Sequence, residues 1–132
     1  MRVPEKIKYK IVYQKNIEHV VIYFPDYITG ELSAIHHLCN MELWYNGEKQ
    51  DTKWLKDMFE NVLSGKKEKE GGCGDATELD IEKDFTYVES ISGEETRCSI
   101  ETERLYKLLQ LWWDTLRKYH NKEIKLPIEG EF

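Results

Sequence analysis

The sequence has no uninterrupted apolar run that approaches the roughly 18–20 residues of a membrane helix. Its first ten residues include four basic side chains, but they lack the apolar stretch that characterises a secretory signal. Both absences argue against insertion into a membrane and against export. They predict a soluble protein that stays in the cytoplasm.

Cysteine is scarce, and its spacing does not form a framework. Cys39, Cys73 and Cys98 are odd in number and far apart, and no CxxC pattern occurs. We therefore expect reduced thiols in a reducing compartment. The run His36-His37-Leu38-Cys39 resembles half of a zinc site, but the second ligand pair that such sites use is missing, so no metal is expected. Cys73 lies among three glycines and is predicted to be the most exposed thiol.

Motifs of common enzyme classes are also missing. The chain has no P-loop, GxGxxG, GxSxG or HExxH pattern. His19, His36, His37 and His120 are available as bases, but none lies beside a catalytic motif. The sequence therefore predicts a protein without catalytic residues or a cofactor. An isoelectric point near 5.3 and the lack of a basic cluster disfavour nucleic-acid binding, which depends on attraction to phosphate.

The residues that are present suffice for one folded domain. The chain has 132 residues, of which 40% are hydrophobic and 12% aromatic. A domain of this length buries about two-thirds of the surface that its unfolded chain exposes. We therefore expect residues 1–132 to form a single domain with a substantial core.

Two segments show the spacing of amphipathic helices. The first spans about 51–64 with Asp51 as its N-cap, and the second spans about 102–120 with Thr102 as its N-cap. In both, apolar side chains recur at steps of three and four residues and form one broad stripe. Five residues of these stripes are predicted to lie in the core: Trp54, Phe59, Leu108, Leu109 and Trp112.

Alternation of apolar and polar residues predicts strands elsewhere. The predicted strands are 7–13, 19–24, 41–45, 77–82, 85–91 and 96–100, with a final edge strand at 124–128. Residues 33–38 fit either a helix or a strand, and residues 66–75 are predicted to be a solvated loop. This order of elements predicts an α+β fold in which both helices pack on one face of an antiparallel β-sheet.

The net charge of −6 is distributed unevenly. Residues 75–103 contain ten acidic and two basic residues, a net charge of −8, whereas the rest, with fifteen acidic and seventeen basic residues, carries +2. The strand period places Glu78, Asp80 and Glu82 on one face, about 7 Å apart. Like charges in a row repel one another unless a cationic group lies near them.

This acidic row has three interpretations at the level of sequence. It is a solvated sheet face, where charge also discourages aggregation at an edge, or a docking surface for a basic partner, with Asp84 and Glu89 near its rim. A divalent-metal site is the third, although calcium loops place their acids on a tight turn rather than a strand. Aromatic residues around Asp26-Tyr27 and Trp44-Tyr45 are alternative anchors for a partner.

The second half of the chain also carries a succession of short motifs. They are Ala76-Thr77-Glu78-Leu79-Asp80-Ile81, Thr86-Tyr87-Val88-Glu89, Arg97-Cys98-Ser99-Ile100-Glu101-Thr102 and Leu105-Tyr106-Lys107-Leu108-Leu109, followed by Trp112. Over about residues 76–119 this series resembles the bacterial immunity proteins of polymorphic-toxin and contact-dependent growth inhibition systems. The resemblance implies a non-enzymatic cytoplasmic antidote that binds and blocks one toxin domain, often a nuclease with a basic active site.

One function is expected and two alternatives remain. We expect an immunity protein that neutralises a cognate basic toxin domain, such as a nuclease, through five acidic residues: Glu78, Asp80, Glu82, Asp84 and Glu89. The first alternative is a protein-interaction or regulatory domain without catalytic activity, and the second is a small enzyme. No metal, cofactor, nucleic acid or membrane is expected to take part.

Overall fold

The computed structural model describes residues 2–27, 32–43, 52–91 and 97–132. Its strands are β1 (Lys8–Gln14), β2 (His19–Tyr23), β3 (Lys69–Cys73), β4 (Thr77–Glu82), β5 (Phe85–Ser90), β6 (Arg97–Glu101) and β7 (Ile128–Glu131). Its helices are α1 (Ser33–His37), α2 (Lys53–Leu63) and α3 (Thr102–His120), and a π-helical turn (Leu38–Glu42) follows α1. The predicted α+β fold and both long amphipathic helices are confirmed.

The strands divide between two antiparallel sheets. One has three strands in the order β2-β1-β7, and the other has four in the order β3-β4-β5-β6. The second contains the predicted meander of three strands, β4 to β6, with one more strand added at β3. The final strand, β7, occupies an edge of the first sheet, as predicted, but it starts after Pro127, so only Ile128 of the predicted strand at 124–128 belongs to it.

The long helices and both sheets share one core. Phe59, Leu108, Leu109 and Trp112 are buried, as predicted. Phe59 stacks on Tyr106 with ring centroids 5.4 Å apart, which joins α2 to α3. The remaining core side chains come from both sheets and the first helix, and they include Ile11, Ile22, Ile35, Leu79, Ile81 and Ile100.

The prediction that Trp54 is a core residue is wrong, because its side chain is 38% exposed. Trp54 lies on the flank of α2 above β3, which is an edge strand among the described residues, so no further described strand covers the ring. A Cβ added at Gly72 of β3 would lie 3.7 Å from the Trp54 ring, so the ring rests against the glycine. The aromatic side chain is therefore at the border of the core rather than inside it.

The prediction of a solvated loop over 66–75 is also wrong. Lys69–Cys73 forms β3, which pairs antiparallel with β4 and sets Gly71 opposite Asp80. Its inward residue Gly72 is so close to α2 that an added Cβ would lie 3.2 Å from the Met58 methyl group. The strand therefore forms through pairing and helix packing, without apolar side chains of its own.

The predicted N-cap of the last helix also differs. Glu101 occupies the cap position of α3 and Thr102 is the first helical residue. The Thr102 hydroxyl is buried, where it donates to the Glu82 carbonyl and lies 2.8 Å from the Thr86 hydroxyl. Thr102 thus fastens the helix to the sheet rather than capping its own backbone. The other predicted N-cap, Asp51, lies outside the described residues.

The ambiguous segment at 33–38 is helical, and it leads into the π-helical turn. The strand predicted from Met41 is therefore wrong at its start, since Met41 lies in that turn, and its end at Trp44-Tyr45 is outside the described residues. The Asn40 side chain accepts the Ile22 N–H at 3.1 Å and donates to the Ile22 and His36 carbonyls at 2.8 and 2.9 Å.

Glu42, in the same π-helical turn, contacts the other sheet. Its carboxylate accepts the backbone N–H groups of Asp75 and Ala76 at 3.2 and 2.8 Å, in the turn between β3 and β4. The carboxylate occupies the space beside Gly74, where an added Cβ would lie only 1.8 Å from Glu42 Oε2. The π-helical turn therefore holds both sheets, one through Asn40 and the other through Glu42.

Truncation of Leu109 or Trp112 to alanine should destabilise the protein. Removing a buried side chain of this size costs about 2–5 kcal/mol in the free energy of unfolding, because it leaves a cavity. Leu111→Ala is the matched control, since Leu111 is on the same helix but 40% exposed. Urea denaturation measures the difference. Equal midpoints for Leu109→Ala and Leu111→Ala would show that α3 does not pack with this face inward.

Gly74→Ala should destabilise the protein by displacing the Glu42 carboxylate from its two N–H donors. Hydrogen bonds to a charged group are worth about 1.5–3 kcal/mol each, so we expect a loss of about 1–3 kcal/mol after relaxation. In a Glu42→Ala background the same substitution should cost much less, because the clashing group is gone. A double-mutant cycle measures this coupling; additive effects would contradict the contact.

Candidate functional site

The predicted acidic row lies on the outer face of the four-stranded sheet. Glu78, Asp80 and Glu82 of β4 are exposed, while the alternate residues of the same strand are buried. The strand period explains this arrangement, because Leu79 and Ile81 enter the core and leave the acids facing solvent. We call Glu78, Asp80 and Glu82 the acidic face. No described helix covers it, and its orientation agrees with the expectation.

The strand that follows adds to this negative charge. Glu89 of β5 is directly opposite Glu78, so two carboxylates meet across the strands. Like charges in that position are unfavourable. Glu89 is partly buried and belongs to the same surface, whereas Asp84 is exposed in the turn between β4 and β5. Both residues therefore lie beside the row, at the place where a rim is expected.

Arg97 neutralises part of this negative charge. Its guanidinium lies 3.4 Å from Glu89 Oε2 and 3.8 Å from Asp80 Oδ2, and it rests above the Tyr87 ring at 5.0 Å from the centroid. Glu78 and Glu82 have no ion-pair partner among the described residues. Arg97 is not among the predicted site residues, although the alternation Arg97-Cys98-Ser99 places it on this face.

The alternative anchors lie only partly within the described residues. Tyr27 is partly buried and packs against the core. Asp26 is exposed beside it. Trp44 and Tyr45 lie outside the described residues.

The cysteines are all free, and two of them are buried. Burial raises the pKa of the Cys39 thiol to about 12, and it also raises the pKa of Cys98. Cys73 is exposed, as predicted. Within residues 2–27, 32–43, 52–91 and 97–132, no group of three or more histidine, cysteine or acidic side chains is arranged to hold a metal ion.

A cavity of about 1060 Å³ lies between the β1–β2 hairpin, the π-helical turn and the end of α3. Apolar side chains such as Leu43, Leu116 and Ile124 line it, and Tyr13 and Tyr119 pack across one side with ring centroids 6.3 Å apart. Sequence reasoning missed this cavity because its walls come from separate segments, none of which carries a motif.

The polar lining of this cavity includes His36 and Asn40. Burial lowers the pKa of His36, and electrostatic repulsion between the His36 and His37 side chains lowers it further. Among the described lining residues there is no serine, threonine or cysteine that would serve as a nucleophile. Asn40 is already engaged in three backbone hydrogen bonds. The cavity therefore offers an apolar binding surface with a polar border.

Comparison with protein-family models, curated proteins and solved structures found no match for this chain. In the described part of the chain, no helix has both the length and the apolar character needed to cross a membrane.

The stability of the protein should fall on mild acidification because of His36. Its pKa in the folded state lies below the ordinary histidine value of 6.5, so the unfolded chain binds more protons. The contribution of neutral His36 to stability is therefore complete above about pH 6.5, the unfolded value, and is lost as the pH falls from there through the lower folded-state pKa. Between about pH 7.5 and pH 5.5, His36→Gln should lose less stability than wild type in urea denaturation. His19→Gln, at an exposed histidine, is the control, and equal losses in all three proteins would contradict the assignment.

Proposed function

We propose that this chain is an immunity-type binding protein that docks a basic toxin domain on the acidic face and blocks it. The observation that supports the proposal is the exposed row of Glu78, Asp80 and Glu82, of which only Asp80 is paired with a described cation. A surface with unpaired charge of one sign attracts a partner of the opposite sign. The proposal includes a cytoplasmic location, because an antidote must be present where its toxin acts.

The acidic face suits a nuclease as the target. A nuclease attracts phosphates with basic residues, and a row of carboxylates along a strand presents negative charge to the same basic cleft. Docking of the acidic face there would exclude the nucleic acid without any chemical step. Inhibition would then be stoichiometric, which requires neither a cofactor nor a catalytic group on this chain.

Arg97 is expected to assist rather than oppose this docking. It holds Asp80 and Glu89 in place and is itself fixed above the Tyr87 ring. Carboxylates that are already oriented lose less side-chain entropy when a partner binds. Glu78 and Glu82 remain available to the cations of the partner.

The first test is genetic and can begin before the toxin is identified. A large reading frame beside the gene for this chain that ends in a short toxin domain would support the proposal. Expression of that domain should stop growth of a bacterial host, and co-expression of this chain should restore it. A neighbouring frame without toxicity, or toxicity that this chain fails to relieve, would contradict the proposal and favour a regulatory domain.

Charge reversal of the acidic face should slow association with that toxin domain. We expect Glu78→Lys, Asp80→Lys and Glu82→Lys together to lower the association rate by roughly tenfold or more at low salt, since exposed charges act mainly on the on-rate. Salt should weaken wild-type binding and have less effect on the variant, because it screens exposed charges.

The control has the same change in net charge at exposed acids outside the acidic face: Glu103→Lys, Glu129→Lys and Glu131→Lys. Binding kinetics at low and high salt measure all three proteins, and circular dichroism confirms that each is folded. If both triple variants slow association equally, net charge alone accounts for the effect. If neither does, the acidic face is not the docking surface.

A further inference from the structure

The outer edge of β3 carries backbone groups that have no partner within the described chain. In the turn before β4 the Gly74 N–H donates to the Thr77 carbonyl at 2.8 Å. Hydrogen-bonded positions alternate along an antiparallel pair. Glu70 and Gly72 therefore direct their N–H and C=O groups toward β4, and the residues between and beside them direct theirs away. The outward residues are Lys69, Gly71 and Cys73, all of them exposed.

Two other sheet edges are closed by the chain itself. Beyond β6, the Val3 N–H donates to the Ser99 carbonyl at 2.8 Å, and Arg2 forms a parallel bridge with Ser99. Beyond β2, the Asn40 amide bonds both the N–H and the C=O of Ile22, as a neighbouring strand would. The β3 edge has neither kind of cover among the described residues. It also has no proline, and Lys69 is its single charged outward residue.

We propose that this edge accepts an extended, basic segment of the partner as a fifth strand, paired with β3. The inference rests on the proposed function for the identity of the partner, a basic toxin domain. It adds the mode of binding. Backbone hydrogen bonds to Lys69, Gly71 and Cys73 supply affinity, and side chains on the two faces of the added strand supply selectivity.

Charge complementarity on the outer face identifies the added strand as basic. Gly71 lies directly opposite Asp80 in the ladder and has no side chain to fill the space between them. A lysine or arginine opposite Gly71 on the added strand therefore reaches across the glycine toward Asp80. Adjacent strands are about 4.8 Å apart, so Asp80 lies about 10 Å from the added backbone, within the length of an arginine side chain and its hydrogen bond. Asp80 of the acidic face is therefore one strand away from the open edge, and the residue opposite it on β3 is Gly71.

The inner face of the added strand meets Trp54. This ring rests against Gly72, yet 38% of its surface is exposed, and no strand of the described residues lies beyond β3 to cover it. An apolar side chain on the inner face of the added strand covers it. Tryptophan is enriched among the residues that carry binding energy at interfaces. The two faces together specify a segment in which basic and apolar residues alternate.

Gly71→Pro tests the backbone pairing directly. The Gly71 N–H points outward, so proline removes a donor for the added strand and leaves the bonds between β3 and β4 in place. Gly71→Ala is the matched control, because it adds a Cβ but keeps the N–H. That Cβ would meet only ordinary contacts, 3.4 Å from the Leu79 carbonyl and 3.6 Å from Asp80 Oδ1. We expect the affinity for the toxin domain to fall at least tenfold in Gly71→Pro and less than threefold in Gly71→Ala.

Hydrogen exchange gives a second measurement, which uses the wild-type protein and so does not require any variant to fold. In the complex, exchange of the Lys69, Gly71 and Cys73 amides should slow at least tenfold. Trp54→Ala should weaken binding at least fivefold, more than the loss of stability measured by the urea midpoint of the free variant accounts for. If the toxin domain binds but these amides keep their free rates, pairing at β3 is wrong, while the proposed function stands.

Synthetic peptides separate this inference from the identity of the toxin. The probe is a peptide of about six residues in which lysine and valine alternate, and the control alternates glutamate and valine. In nuclear magnetic resonance titrations the lysine peptide should shift the amides of β3 in wild type and in Gly71→Ala, but not in Gly71→Pro. The glutamate peptide should leave them unchanged.

The outcomes are distinct for the two proposals. If no toxin domain binds but the lysine peptide shifts the β3 amides, the proposed function is wrong and the site for a basic strand stands. Absence of peptide shifts at β3, together with unchanged exchange in the toxin complex, removes the site. If sedimentation shows a dimer that Gly71→Pro abolishes and Gly71→Ala retains, the occupant of the edge is a second copy of this chain, and the stated partner is wrong.

Discussion

A buried hydrogen bond between Trp112 and the π-helical turn holds the main parts of the fold together. The Trp112 Nε1–H donates to the Cys39 carbonyl at 2.6 Å, deep in the core. Backbone hydrogen bonds in a π-helical turn join residues five apart rather than four, and here the Cys39 carbonyl also accepts a side-chain donor from α3. The neighbours of Cys39 in this turn then reach both sheets, Asn40 to β2 and Glu42 to the turn before β4. The position of α3 and the relation of the two sheets thus depend on five consecutive residues.

This arrangement explains why none of the described helices covers the outer face of the four-stranded sheet. The helices pack against its inner side, where Leu79, Ile81, Val88 and Ile100 enter the core that both sheets share. The outer side keeps its charge in solvent, with Arg97 as an internal counter-ion for part of it. The apolar burial that drives folding takes place on one side of the sheet. The other side can therefore vary in charge with little cost to stability, as a recognition surface requires.

Periodicity in the sequence predicted the elements that bury their own apolar residues. The stripe of α3 and the alternation of β4 are visible in the sequence because their apolar residues recur with the period of a helix and of a strand. This spacing places Leu108 and Leu109, and likewise Leu79 and Ile81, on the buried face of their element. The same spacing correctly placed Glu78, Asp80 and Glu82 on an exposed face. These features are local, so a single segment contains the information for them.

Features that depend on contacts between segments could not be predicted. Lys69–Cys73 contains two glycines and no large apolar residue, and it is a strand because β4 pairs with it and Met58 packs above it. The exposure of Trp54 follows from the same edge. Asn40 and Glu42 look like ordinary surface residues in sequence, yet each bonds a backbone at least 18 positions away. The open edge and the role of Arg97 became visible only when the strand order was known.

Cys73 gives this molecule a practical property. It is the exposed cysteine, at the outward edge of β3, while Cys39 and Cys98 are buried and their thiols are held in the protonated, unreactive form by the raised pKa. A maleimide dye would therefore modify the native chain at one known place, without engineered mutations. A fluorophore attached there stands next to Gly74 and opposite Glu78, and its emission would report the arrival of any molecule at that border of the sheet.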